Sequence, residues 1–116
     1  MLGNTNLLPM AELTKIQSFC EAVAKQFRPQ KIILFGSHAE GRATADSDVD
    51  LLVIQSRTRL NGERMSVRIR QAVPRDFSLD LLVRTPAEVK RRLNWGDHFL
   101  REVVDHGKVM YEANDA

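Results

Sequence analysis

The sequence predicts an α/β (α+β) fold in which helices flank a small mixed β-sheet. Three observations carry this: two apolar runs of strand length, Lys31–Phe35 and Val49–Ile54; a third, Phe77–Val83, with one acid inside it; and helical periodicity in the segments around them.

The elements follow in order. Leu13, Ile16, Cys20, Val23 and Phe27 recur at helical spacing, widened by Phe19, and predict an N-terminal helix over about 10–28. Pro9 suits its first turn and Pro29 ends it. Lys31–Phe35 is the first strand. The segment Ser37–Ala45 has room for one short helix, with Gly41 and the small polar residues after it reading as loop. Val49–Ile54 is almost wholly apolar, the mark of a strand buried on both faces. Gly62–Val73 reads as a helix burying Met65, Ile69, Ala72 and Val73, stopped by Pro74. After the strand Phe77–Val83, Thr85-Pro86 is an N-cap with proline at the first helical position, and Glu88 is a favourable early acid. That helix carries Val89 and Leu93. A last helix, Asp97–His106, is expected to bury Phe99, Leu100, Val103 and Val104, then ends at Gly107 before a strand Lys108–Tyr111.

At 116 residues, one domain over 1–116 is expected, with its core at about 31–112 and loose ends at Met1–Asn6 and Asn114–Ala116. Cys20 is the only cysteine, which excludes an intrachain disulfide and a thiolate metal cluster, and its place on an apolar helical stripe predicts a buried, inert thiol. No apolar run reaches membrane-spanning length and the N-terminus lacks a signal peptide's pattern, so a reducing cytoplasm is the expected compartment. The net charge is +2, but Arg57, Arg59, Arg64, Arg68, Arg70 and Arg75 crowd the middle of the chain. They read first as a solvated helix face and its loops; the functional alternatives are a polyphosphate tail, an acidic partner or RNA. Only Trp95 and Tyr111 could serve as stacking platforms with a polar tip, and neither lies in that stretch, which argues against direct nucleic-acid binding. Trp95, at a corner before the last helix, reads as a packed loop aromatic, with a partner contact as its alternative.

The chemistry concentrates in the acids. Asp48 and Asp50, one residue apart at the start of a strand, project to one face because side chains alternate. Carboxylates forced together raise each other's proton affinity, and a hard cation such as Mg²⁺ relieves the cost. Asp80 sits inside an apolar strand, where an unpaired charge costs several kcal/mol. If that strand neighbours Val49–Ile54, Asp80 lies beside the other two, and three carboxylates on adjacent strands suit two Mg²⁺ ions and in-line phosphoryl or nucleotidyl transfer. Gly36-Ser37 can offer backbone N–H groups to a phosphate. In that scheme Asp48 and Asp50 hold both metals, and Asp80 holds one and takes the acceptor's proton. Taken singly, a Gly-Ser turn is common, a D-x-D pair can cap a turn, and a buried acid can pair with an arginine.

Phe35-Gly36-Ser37-His38-Ala39-Glu40-Gly41-Arg42, Ser47-Asp48-Val49-Asp50-Leu51 and Leu79-Asp80-Leu81 together closely resemble the minimal nucleotidyltransferases of the DNA polymerase beta superfamily. Thr85-Pro86-Ala87-Glu88 and the segment from Glu102 to Glu112 resemble it too, so the likeness spans about Lys31 to Glu112. The resemblance implies a nucleotidyltransferase fold, Mg²⁺, and a nucleoside triphosphate donor such as ATP. It implies Asp48, Asp50 and Asp80 as catalytic metal ligands and Gly36 and Ser37 as phosphate-binding. His38 departs from the arginine or tyrosine frequent there; it could touch the triphosphate or be a surface residue. Minimal relatives often act as antitoxins to a helical HEPN-domain RNase, some by transferring AMP to it. The expected partner is therefore a HEPN-type protein, with self-association as a second possibility. A non-catalytic binding module and an enzyme acting on a small hydroxylated acceptor, such as an aminoglycoside, are the competing readings.

Overall fold

In a computed structural model, described for residues 10–114, helix α1 (Met10–Phe27) leads into strand β1 (Lys31–Phe35), a single 3-10 turn at Gly36–His38 and strand β2 (Val49–Ile54). A small hairpin, β3 (Arg59–Leu60) and β4 (Glu63–Arg64), precedes helix α2 (Met65–Ala72). Strand β5 (Leu79–Arg84), helices α3 (Pro86–Asn94) and α4 (His98–His106) and strand β6 (Lys108–Glu112) complete the order. Pro9, the segment Met1–Asn6 and residues 115–116 lie outside the described residues; Asn114 is exposed and belongs to no element.

The main sheet has the order β5-β2-β1-β6. β1 runs antiparallel to β2 and β6, whereas β2 and β5 run parallel, so the sheet is mixed as expected. Alternation along the strands sorts their side chains onto two faces. Ile32, Leu34, Leu51, Val53, Leu81 and Val83 face α1 and α2, where Ile16, Phe19, Cys20, Val23, Met65 and Ile69 close the larger cluster. Ile33 and Leu52 face the other way, under Leu100 and Val103 of α4 and Leu93 of α3. Both faces of β2 are thus covered over most of its length, which is why its sequence is nearly continuous apolar.

α4 can descend onto β1 because Gly107 ends it. A Cβ at that position would collide with the Val103 carbonyl and the Ile33 side chain and lie 3.1 Å from the Leu34 carbonyl. Thr85 caps α3 as expected, accepting a hydrogen bond from the Glu88 N–H (3.1 Å), and Asp97, expected as the first residue of the last helix, instead caps α4 by accepting from the Leu100 N–H (3.0 Å).

Several expectations are corrected. The stretch from Gly62 is not helical until Met65, because Asn61 and Gly62, with φ of 54° and 83°, make the left-handed two-residue turn that closes the β3–β4 hairpin. Ala72 is exposed, on the outer side of α2. β5 starts two residues later than the apolar run, since Phe77 turns aside to meet Phe19 edge-on at 5.7 Å. In α4 only Leu100 and Val103 are buried; Val104 is exposed and Phe99 is 51% exposed, because the sheet contacts an arc narrower than the apolar one. Trp95 is no packed aromatic: it is 74% exposed, with the Arg91 guanidinium 5.4 Å above its ring. Among the described residues no helix is long and apolar enough to cross a membrane.

Cys20 is buried in the larger cluster. Burial, helped by the nearby Glu21 charge, pushes its thiol up to about 12. Iodoacetamide at mildly alkaline pH should therefore leave the folded protein unmodified, and labelling in urea should track global unfolding; rapid labelling of the folded chain would contradict this packing.

Candidate active site

Three strands deliver one side chain each to a single row. Phe35 of β1 lies opposite Asp50 of β2, and Asp50 opposite Asp80 of β5. In a parallel pair the backbones are about 4.8 Å apart, so the two carboxylates stand side by side on one face. Further along that face the Leu52 row is roofed by α4, which leaves the Asp50 row at the open margin.

Asp50 is half-buried and Asp80 is exposed. Burial raises the Asp50 pKa above the ordinary aspartate value, followed by the negative charges of Asp80 and Asp48; His38 opposes them, and a hydrogen bond to Asp80 favours the protonated form. Asp48 lies just before β2, exposed, close enough to act on Asp50 through its charge. Among the described residues, no three His, Cys, Asp or Glu side chains converge into a closed metal cluster. Asp50 and Asp80 are thus brought together, while Asp48 stands apart from the pair.

The Gly36–His38 turn starts against this pair. Gly36 has a φ of 75°, and a Cβ there would run into the Asp50 carboxylate. Glycine is needed twice over: for the left-handed backbone, and so that the main chain can pass over the acid. The first N–H groups of such a turn have no partner within it, which suits them to an anionic oxygen. Ser37 follows, half-buried in the turn.

His38 is neither a surface residue nor a free ligand. It is 8% exposed, and its Nε2 lies 3.2 Å from the Ser47 carbonyl oxygen. It ties the Gly-Ser turn to the loop that carries Asp48, while its buried Nδ1 has no partner. Nothing in the sequence marks this role, since it depends on a carbonyl nine residues away.

A second feature that the sequence does not announce is a mostly apolar cavity of about 270 Å³ beside Asp50, lined by Phe35, Gly36, Phe99, Val103 and Gly107 together with Glu40, Glu102 and His106. Phe99 meets Phe35 edge-on at 5.5 Å, which explains why it leaves the core. The cavity suits a flat ring.

Residues 15–116 match the family model described as "Polymerase beta, Nucleotidyltransferase". The chain belongs to this family. A curated relative from Methanocaldococcus jannaschii, named as a candidate protein adenylyltransferase, is 28% identical over 118 residues, covering 88% of this chain and all of the relative. Two solved structures share the fold. One is a candidate nucleotidyltransferase from Sulfolobus solfataricus, with a TM-score of 0.59 and 20% identity, covering 92% of this chain and 86% of that one. The other is a toxin–antitoxin structure with AMP-PNP, with a TM-score of 0.56 and 23% identity, covering 84% and 74%.

For this nucleotidyltransferase the donor set fits a divalent cation: hard carboxylate oxygens, with the Asp50 pKa raised by burial first and by the neighbouring Asp80 and Asp48 charges second. A raised acid stabilises the fold below its ordinary pKa and loses that contribution as pH rises through the raised value. With divalent metal chelated, Asp50→Asn should therefore raise Tm by a few degrees near neutral pH, and the gain should fade in acid. Gly36→Ala should instead lower stability by about 2 kcal/mol at either pH, from positive φ and collision together. Thermal melts of both variants at two pH values check this; an Asp50→Asn protein less stable than the parent at neutral pH would contradict it.

Proposed function

We propose that this nucleotidyltransferase transfers AMP from ATP to a hydroxyl of a partner protein, acting as the antitoxin of a HEPN-type toxin in the cytoplasm. The observation that carries this is the Asp50–Asp80 pair pressed against the Gly36 backbone: two acids and an N–H-rich turn in one place serve a metal-bound triphosphate and little else. The relative named for protein adenylyltransfer and the fold neighbour in a toxin–antitoxin structure support the choice of acceptor.

In this reading Asp48, Asp50 and Asp80 would hold two Mg²⁺ ions, which when bound would neutralise the triphosphate and lower the barrier to in-line displacement. Gly36 and Ser37 bind the terminal phosphates through backbone N–H and hydroxyl groups. The acceptor oxygen attacks the α-phosphorus; the bond from that phosphorus to the bridging oxygen breaks, and pyrophosphate leaves. Asp80, at the exposed end of the row, receives the hydroxyl proton. Positioning does most of the rest: the strands fix Asp50 and Asp80, and His38 holds the Asp48 loop to the turn.

The test is intact-mass analysis after incubation with Mg²⁺ and each nucleoside triphosphate, alone and with the protein encoded beside it. A gain of one AMP on the partner, reduced at least about a hundredfold by Asp50→Ala, is expected. A stable complex with no gain from any triphosphate, or transfer unchanged in Asp50→Ala, would overturn the reading.

A further inference from the structure

β5 ends the sheet, and among the described residues no strand pairs with its outer edge. The carbonyls of Ser78 and Arg84 accept from Val49 and Gln55, so even-numbered residues of β5 turn their peptide groups to β2 and Leu79, Leu81 and Val83 turn theirs outward. Arg70 donates to the Leu79 carbonyl and Arg84 to the Val83 carbonyl, each at 2.9 Å. Between these two caps, no hydrogen bond from a described residue reaches the outward peptide group of Leu81. An open edge of this kind is a template for another strand.

A cleft of about 400 Å³ opens onto the same edge, with Arg59, Arg64 and Arg84 on its walls. Arg59 and Arg64 are direct cross-strand partners in the β3–β4 hairpin. Like charges about 5 Å apart destabilise a hairpin unless an anion lies between them. Arg59 donates to the Gly62 carbonyl at 2.9 Å, but no ion pair engages either arginine among the described residues. Glu88 is the one acid on the walls, and Arg92 already holds it at 3.1 Å. The start of α2, whose Ser66 lines the cleft, has no side-chain cap, which adds to the positive potential.

We propose that this cleft docks an extended acidic segment of a partner protein. The segment adds a strand to β5, hydrogen-bonding at Leu81, and sets its carboxylates against Arg59 and Arg64. Among the described residues no aromatic platform lines the cleft, which favours a peptide over a nucleic acid. The consequence for catalysis rests on the protein-acceptor reading above: Asp80 is the next residue along the edge from Leu81, so a strand laid there leads to the carboxylate pair.

Fluorescence anisotropy of a labelled short peptide alternating Glu and Thr, with the full chain and no nucleotide, tests this. The acidic peptide should bind, its Lys-for-Glu counterpart should not, and N-methylation of alternate peptide nitrogens should abolish binding. Arg59→Glu with Arg64→Glu should weaken it about tenfold. In the parent protein, hydrogen exchange at the Leu81 amide should slow on peptide addition, a readout independent of how the variants fold. Equal binding of the N-methylated peptide, unchanged binding by the double variant, or preference for an oligouridylate of equal length would overturn the proposal. Peptide binding by a chain that transfers no AMP in the intact-mass assay with its partner would sink the transfer reading and leave the docking surface standing.

Discussion

Asp50 and Asp80 face each other across a parallel strand pair, and most of the structure can be understood as what keeps them there. Two carboxylates side by side on strands whose backbones lie about 4.8 Å apart repel, so the pairing must be enforced from outside. Enforcement comes from the ladder itself: Leu51, Val53, Leu81 and Val83 on one face and Leu52 and Leu82 on the other lock the register, and a one-residue slip of either strand would turn its acid toward the core. The acids sit where the roof of α4 stops, so the apolar face ends at the chemistry.

The same constraint shapes the neighbours. The main chain must cross beside Asp50, which only a glycine with a left-handed backbone permits, and Gly36 provides it. The buried His38 ties the loop bearing Asp48 to the turn through the Ser47 carbonyl. Phe99 leaves the core to meet Phe35 and builds an apolar wall next to the most polar part of the molecule. A site that joins a glycine turn, paired acids and an apolar slot has the parts that the proposed nucleotidyl transfer would use.

What the sequence makes legible follows from how local each signal is. The strands are visible because burial on two faces writes continuous apolar runs, and Asp80 stands out because an acid inside such a run needs a reason. The hairpin is missed although Asn61-Gly62 is a strong turn signal, because the stripe Met65–Ile69–Val73 can be extended backward into it. The outer side of α4 is misjudged because periodicity marks an apolar arc without showing how much of it the sheet covers. His38 and the Phe35–Phe99 cavity are invisible for a different reason: each depends on groups that only the folded chain brings together. The opposed Arg59 and Arg64 likewise become a pair only once the hairpin register is known.

In the proposed reaction the carboxylate pair destabilises the bare protein, and a metal-bound triphosphate offsets that cost. Melting the parent and Asp50→Asn with and without Mg²⁺ plus a non-hydrolysable ATP analogue separates the two effects. The expected result is a crossing: the parent, less stable alone, gains several degrees on ligand addition and overtakes the variant, which gains little. Equal gains in both proteins would contradict it.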